Sequence, residues 1–218
     1  MWPISDSQKS KIFPVVTVVL ILINVLFFVF QYLQSDLELF LQSYALIPTE
    51  LIANGEWLTL VTSMFIHGGA LHLFSNMWYL WVFGDNVEAK MGSGKYLLFY
   101  LVAGLVAALV QLGISWDTNV AIIGASGAIS GVLGYYAVAF PQSKIKSFII
   151  AYPRVGIYDI SAKYLLAFWF ALQFLNSLLS YSNGEGGVAW GAHVGGFLFG
   201  AGIAWLGKAM GGQVVPKK

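Results

Sequence analysis

Six apolar stretches, each close to twenty residues long, constrain this chain more than any other feature. They cover residues 14–33, 70–89, 96–114, 121–140, 164–182 and 188–207. A helix needs about 20 mostly apolar residues to cross the roughly 30 Å of hydrocarbon in a bilayer. Lipid offers no partner to a backbone N–H or C=O, so each stretch is predicted to be a helix that satisfies its own backbone. The expected architecture is all-α: a polytopic membrane protein, one domain over residues 1–218, folded as a six-transmembrane-helix bundle. Composition agrees, with 58% hydrophobic and 10% charged residues, where soluble domains carry about 25% charged residues. Pro14 suits a helix first turn, and Pro141 ends the fourth stretch. A cleaved signal peptide is the other reading of 14–33, but no small-x-small site follows it.

The cations set the orientation. Lys9 and Lys11 precede the first stretch. Lys90 and Lys95 lie between the second and third, and Lys144, Lys146, Arg154 and Lys163 between the fourth and fifth. Lys208, Lys217 and Lys218 follow the sixth. With six spans all of these face one side. The opposite segments hold no Lys or Arg and carry Asp36, Glu38, Glu50, Glu56, Asp117 and Glu185. The positive-inside rule then places both termini in the cytoplasm. Residues 34–69 mix acids with apolar residues and are expected to form a structured loop lying partly in the interface. A net charge of +1 points to no acidic partner such as nucleic acid, and the absence of Cys excludes thiolate chemistry.

Ionisable groups inside spans are expensive and mark candidate functional sites. His72 and Asn76, at i and i+4, share a helix face. Their span enters from the outer side, so both belong to the outer half of the bilayer. His193 lies at matching depth near the start of the sixth span. Ser126 sits at the outer end of the fourth, flanked by Gly124 and Gly127, which allow a sharp turn and a close approach. Small residues at 126, 130 and 134, and at 192, 196, 200 and 204, form stripes that let two membrane helices meet closely. The stripes are expected to bring His193 to Ser126. A zinc reading of the three histidines lacks an HExxH pair and a nearby carboxylate, so neither metal nor cofactor is expected. The "SNGEGG" loop at 182–187 suggests a cavity open to the outside.

In this order, "HGGALHLFSN", "GASG" and "AHVGGFLFG", on the second, fourth and sixth spans, with "FGDNVEAKMG" after the second span, resemble the rhomboid family of intramembrane serine proteases in its minimal six-helix form. The resemblance implies Ser126 as nucleophile and His193 as general base. It implies His72, Asn76 and the Ser126 backbone N–H as the oxyanion hole, and His67, which matches the first family histidine, as a supporting residue. Partners would be transmembrane protein substrates, cut near the outer face, and membrane lipids. The minimal form suggests a prokaryotic plasma membrane. Trp169, Phe170 and Phe174 on the fifth span are candidate substrate-gate residues, or plain lipid-facing aromatics. Many members carry Trp-Arg in the loop after span one; Leu58 and Thr59 stand there instead, leaving that loop's anchoring open. Two rival functions are a channel or transporter, whose site would lie nearer the midplane, and an inactive relative that binds membrane proteins.

Overall fold

The computed structural model describes residues 2–8, 10, 12–151, 154–183 and 188–211. Strand β1 (Trp2–Asp6) is followed by α1 (Val15–Tyr32), then by three short helices, α2 (Leu37–Tyr44), α3 (Pro48–Asn54) and α4 (Thr59–Thr62). Three long helices form the middle of the chain: α5 (Ala70–Met91), α6 (Ser93–Ile114) and α7 (Ser126–Ala139). The hairpin β2 (Lys144–Ala151) and β3 (Arg154–Ser161) leads into α8 (Ala162–Asn183) and α9 (Trp190–Ala209). Each predicted span thus has its helix: α1, α5, α6, α7, α8 and α9. By length and composition alone, α1, α6 and the 162–179 part of α8 are long and apolar enough to cross a membrane.

The fourth span differs from its expected bounds of 121–140. Its helix starts at Ser126 and has 14 residues, which at 1.5 Å per residue is about 21 Å. That is less than the thickness of the hydrocarbon layer, so this helix alone does not cross it. Ahead of it, Ile122 bridges to Leu46. Both backbone N–H groups of that bridge are satisfied, at 3.3 and 2.8 Å. The Gly124 N–H donates to the Ser63 carbonyl at 2.9 Å. These backbone bonds tie the loop after α1 to the start of α7 without the Trp-Arg pair. Leu58 is exposed, and the Thr59 hydroxyl donates to the Glu56 carbonyl at 2.6 Å.

α7 is the central helix and packs on α5, α6, α8 and most extensively on α9. The α7–α9 contact is made of glycines. A Cβ on Gly196 would lie 2.1 Å from the Gly127 carbonyl oxygen, one on Gly200 1.9 Å from that of Gly131, and one on Gly134 2.0 Å from that of Phe197. The small face of α7 therefore runs through Gly127, Gly131 and Gly134. Gly134 of the stripe expected at 126, 130 and 134 lies on this face, whereas Ser126 and Ser130 flank it, and the Ser130 hydroxyl bonds back to the Ser126 carbonyl at 2.6 Å. The stripe expected on α9 is the one used.

Glu88, within "FGDNVEAKMG", is buried and caps α1. Its carboxylate accepts from the backbone N–H of Val16 (2.9 Å) and Thr17 (2.8 Å) and from the hydroxyls of Thr17 (2.9 Å) and Ser93 (2.7 Å). A carboxylate there complements the helix dipole and the unsatisfied first-turn N–H groups. Gly92, at φ +81°, makes the reversal from α5 to α6.

The three-stranded antiparallel sheet, in order β1-β2-β3, is an element the sequence reading did not foresee. β1 lies along α5: the Trp2 ring stacks on Phe74 at 6.0 Å, the Trp78 indole N–H donates to the Pro3 carbonyl at 2.6 Å, and the Asn86 amide donates to Asp6 at 2.9 Å. The Tyr136 hydroxyl donates to the same carboxylate.

Candidate active site

Three helix starts converge at one end of the bundle. His72 is the third residue of α5, Ser126 the first of α7 and His193 the fourth of α9. Ser126 Oγ and His193 Nε2 are 2.8 Å apart. The other ring nitrogen, Nδ1, is 2.7 Å from Gln173 Oε1 on α8. An amide oxygen can only accept, so Nδ1 carries the proton and Nε2 presents its lone pair to the serine hydroxyl. The imidazole is also flanked by Trp169 (ring centroids 6.1 Å) and Trp190 (5.9 Å, edge-on). Gln111 on α6 secures the first turn of α9 by accepting from the Ala192 N–H at 3.1 Å.

The second half of the site is a pair of donors. His72 Nδ1 accepts from the Gly68 N–H at 3.2 Å, so Nε2 of a neutral His72 bears the hydrogen and faces inward. The Asn76 Nδ2 amide is buried without a partner among the described residues. Both converge beside Gly124: a Cβ built there would lie 2.9 Å from His72 Nε2 and 3.5 Å from Asn76 Nδ2. Gly124 holds φ at +112°, a conformation side-chain-bearing residues rarely adopt. Its missing side chain is the space in front of the donors. A buried, unpaired N–H is costly unless something fills the role of acceptor, and here a ligand oxygen can.

A cavity of about 420 Å³ joins these groups, with Ser126, His193, His72 and Asn76 in its wall. Gly68 and Val188 at its rim are exposed, so it opens at the end of the bundle where α5, α7 and α9 begin. The "SNGEGG" loop expected to help open it lies mostly outside the described residues, at 184–187.

His67 is not in the cavity wall. Its ring packs edge-on against His72 at 5.1 Å, and burial, reinforced by His72, pushes it down to about 4. It is a neutral packing group at pH 7. Its backbone is held by Gln31 of α1, whose amide oxygen accepts from the His67 N–H (3.2 Å) and whose amide nitrogen donates to the His67 carbonyl (2.8 Å). Gly127 serves the α7–α9 contact. Of the three gate candidates, Trp169 lines the cavity, Phe170 stacks on Phe197 at 4.7 Å, and Phe174 is exposed away from the cavity wall. The sequence reading missed Gln31 and Gln173: a single Gln in an apolar helix has no spacing pattern to mark it.

The fold describes a helical membrane protein, with Ser126 and His193 paired in the wall of a recessed cavity. The comparisons with known proteins place the fold in a family. Residues 54–209 match the Rhomboid domain, and the chain belongs to the rhomboid family. It is 44% identical over 84 residues to Rhomboid protease GluP of Bacillus subtilis, 38% of this chain and 16% of that protein. It is 31% identical over 118 residues to the mitochondrial Rhomboid protein 1 of Saccharomyces cerevisiae, 52% of this chain and 34% of that one. With Rhomboid protease GlpG of Haemophilus influenzae the identity is 27% over 145 residues, 66% of each chain. The chain thus spans well under two thirds of GluP and Rhomboid protein 1.

Proposed function

We propose that this protein is an intramembrane serine endopeptidase that hydrolyses peptide bonds in or near transmembrane segments. The observation that carries the reading is the Ser126 Oγ–His193 Nε2 contact of 2.8 Å, beside two converging donors. Two matched relatives bear the name rhomboid protease.

His193 Nε2 takes the Ser126 proton as Oγ attacks the scissile carbonyl carbon. The carbonyl electrons move onto oxygen, where His72 Nε2–H, Asn76 Nδ2–H and the Ser126 backbone N–H receive the charge. The intermediate collapses, the C–N bond breaks, and His193 returns the proton to the leaving amine. Water entering from the outer side, activated by the same imidazole, then hydrolyses the acyl-enzyme. A substrate helix must unwind first, because its carbonyls are bonded internally. Substrates are single-span proteins with helix-breaking or small residues near the cut. The protein sits in a prokaryotic plasma membrane with both termini cytoplasmic. Cleavage of a single-span reporter in proteoliposomes tests this: wild type cuts and Ser126→Ala does not. Equal cutting by both would refute the assignment.

A further inference from the structure

We propose that Gln173 is a positioning residue that fixes the tautomer of His193; this rests on the serine-protease reading above. Gln173 is 8% exposed, in the middle of α8, with its Oε1 2.7 Å from His193 Nδ1. A neutral imidazole has two tautomers. With the proton on Nδ1, Nε2 can accept the serine proton; with the proton on Nε2, the ring donates to Ser126 and cannot act as its base. An acceptor on Nδ1 selects the productive form. Soluble serine proteases commonly use a carboxylate for this task, but an ionised carboxylate at membrane depth is expensive. A glutamine supplies the acceptor without a charge. The tilted Trp169 ring and the edge-on Trp190 ring, at 6.1 and 5.9 Å, hold the imidazole between them, so the amide has only the proton position left to decide.

The roles separate experimentally with Gln173→Met, which keeps the length and removes the acceptor, and Gln173→Glu, which keeps the acceptor. Reporter cleavage gives kcat and KM, and ¹⁵N NMR of labelled histidine reads the tautomer without turnover. In wild type, His193 shows Nδ1–H and an unprotonated Nε2. Gln173→Met mixes the tautomers and lowers kcat by roughly 10-fold or more, part of the about 10²–10⁴-fold that a general base supplies. KM stays within about twofold, as expected for a group acting only after binding. Gln173→Glu restores Nδ1–H and most of kcat. Wild-type kcat in Gln173→Met overturns the proposal, as does an equal loss in both variants with the Nδ1–H form retained, which would make the contact one of packing. Failure of the protease reading looks different: Ser126→Ala would cut as well as wild type.

Discussion

At the residue scale, the site divides into a base pair of groups and an anion-binding pair, and each gives a separate kinetic signature. Asn76→Ala removes one donor, and kcat is expected to fall about 10²–10³-fold. Measured on the reporter with Ser126 labelling retained, that result separates transition-state binding from loss of the nucleophile. An unchanged kcat would remove Asn76 from the oxyanion site. Gly124→Ala attacks the same space from the other side. It places a Cβ 2.8 Å from His72 Cε1 on a backbone at φ +112°, so turnover should collapse; wild-type turnover would show that the donors do not work through that space. These residues were legible in the sequence because spacing marks them: 72 and 76 stack one helical turn apart, and glycines bracket 126. Gln173 and Gln31 were not legible. Their significance comes from what another helix places opposite them.

At the element scale, the glycine contact between α7 and α9 sets the distance from Ser126 to His193. Gly200→Ala puts a methyl 1.9 Å from the Gly131 carbonyl oxygen. Overpacking of this kind costs about 1–3 kcal/mol, read as a lower Tm together with lost activity. Gly202→Ala, on the same helix with open space around it, should leave both intact. If the two variants behave alike, the contact is not the spacer described here. The helix pair was legible as small-residue stripes, though only Gly134 of the stripe read on α7 lies at the contact: side-chain size alone did not say that Ser126 and Ser130 flank the contact rather than form it.

The sheet was missed because its strands lie in segments whose cations announced loops. A period-2 signal was present: Lys144 and Lys146 are exposed while Ile145 and Ser147 between them are buried. The sheet also brings a titration. Burial above all, with Asp85 nearby, pushes the Asp6 carboxyl up to about 7 against the hydrogen bond from Tyr136. A folded-state value above the unfolded one means that the docked strand binds the proton more tightly. Docking of β1 is therefore strongest at acid pH and weakens as pH rises from about 4 through 7. Hydrogen exchange of the β1 amides should show protection falling over that range, and Asp6→Asn should flatten the profile. Protection that rises with pH would contradict the assignment.

At the scale of the whole molecule, four lysines sit at the helix ends away from the site. Lys90 ends α5, Lys95 begins α6, Lys163 begins α8 and Lys208 ends α9, where its ammonium donates to the Val138 carbonyl at 2.6 Å. The six helices match the six apolar stretches read along the sequence, because stretch length alone marks them; the sidedness expected from the cations is a separate matter for labelling. Because the chain has no Cys, single cysteines report sidedness cleanly. Cys introduced at Glu56 should react with an impermeant maleimide on intact cells, and Cys at Lys95 only after permeabilisation. The reverse pattern would invert the protein and move its cavity to the cytoplasmic face.

The central claim is that Ser126 is a nucleophile activated by His193 in a wet pocket. Fluorophosphonate labelling in detergent, with the modified peptide identified by mass spectrometry, tests it most directly. The account predicts a single adduct on Ser126 in wild type, none in Ser126→Ala and a strongly slowed reaction in His193→Ala. Equal labelling of all three proteins, or an adduct on another serine, would contradict it.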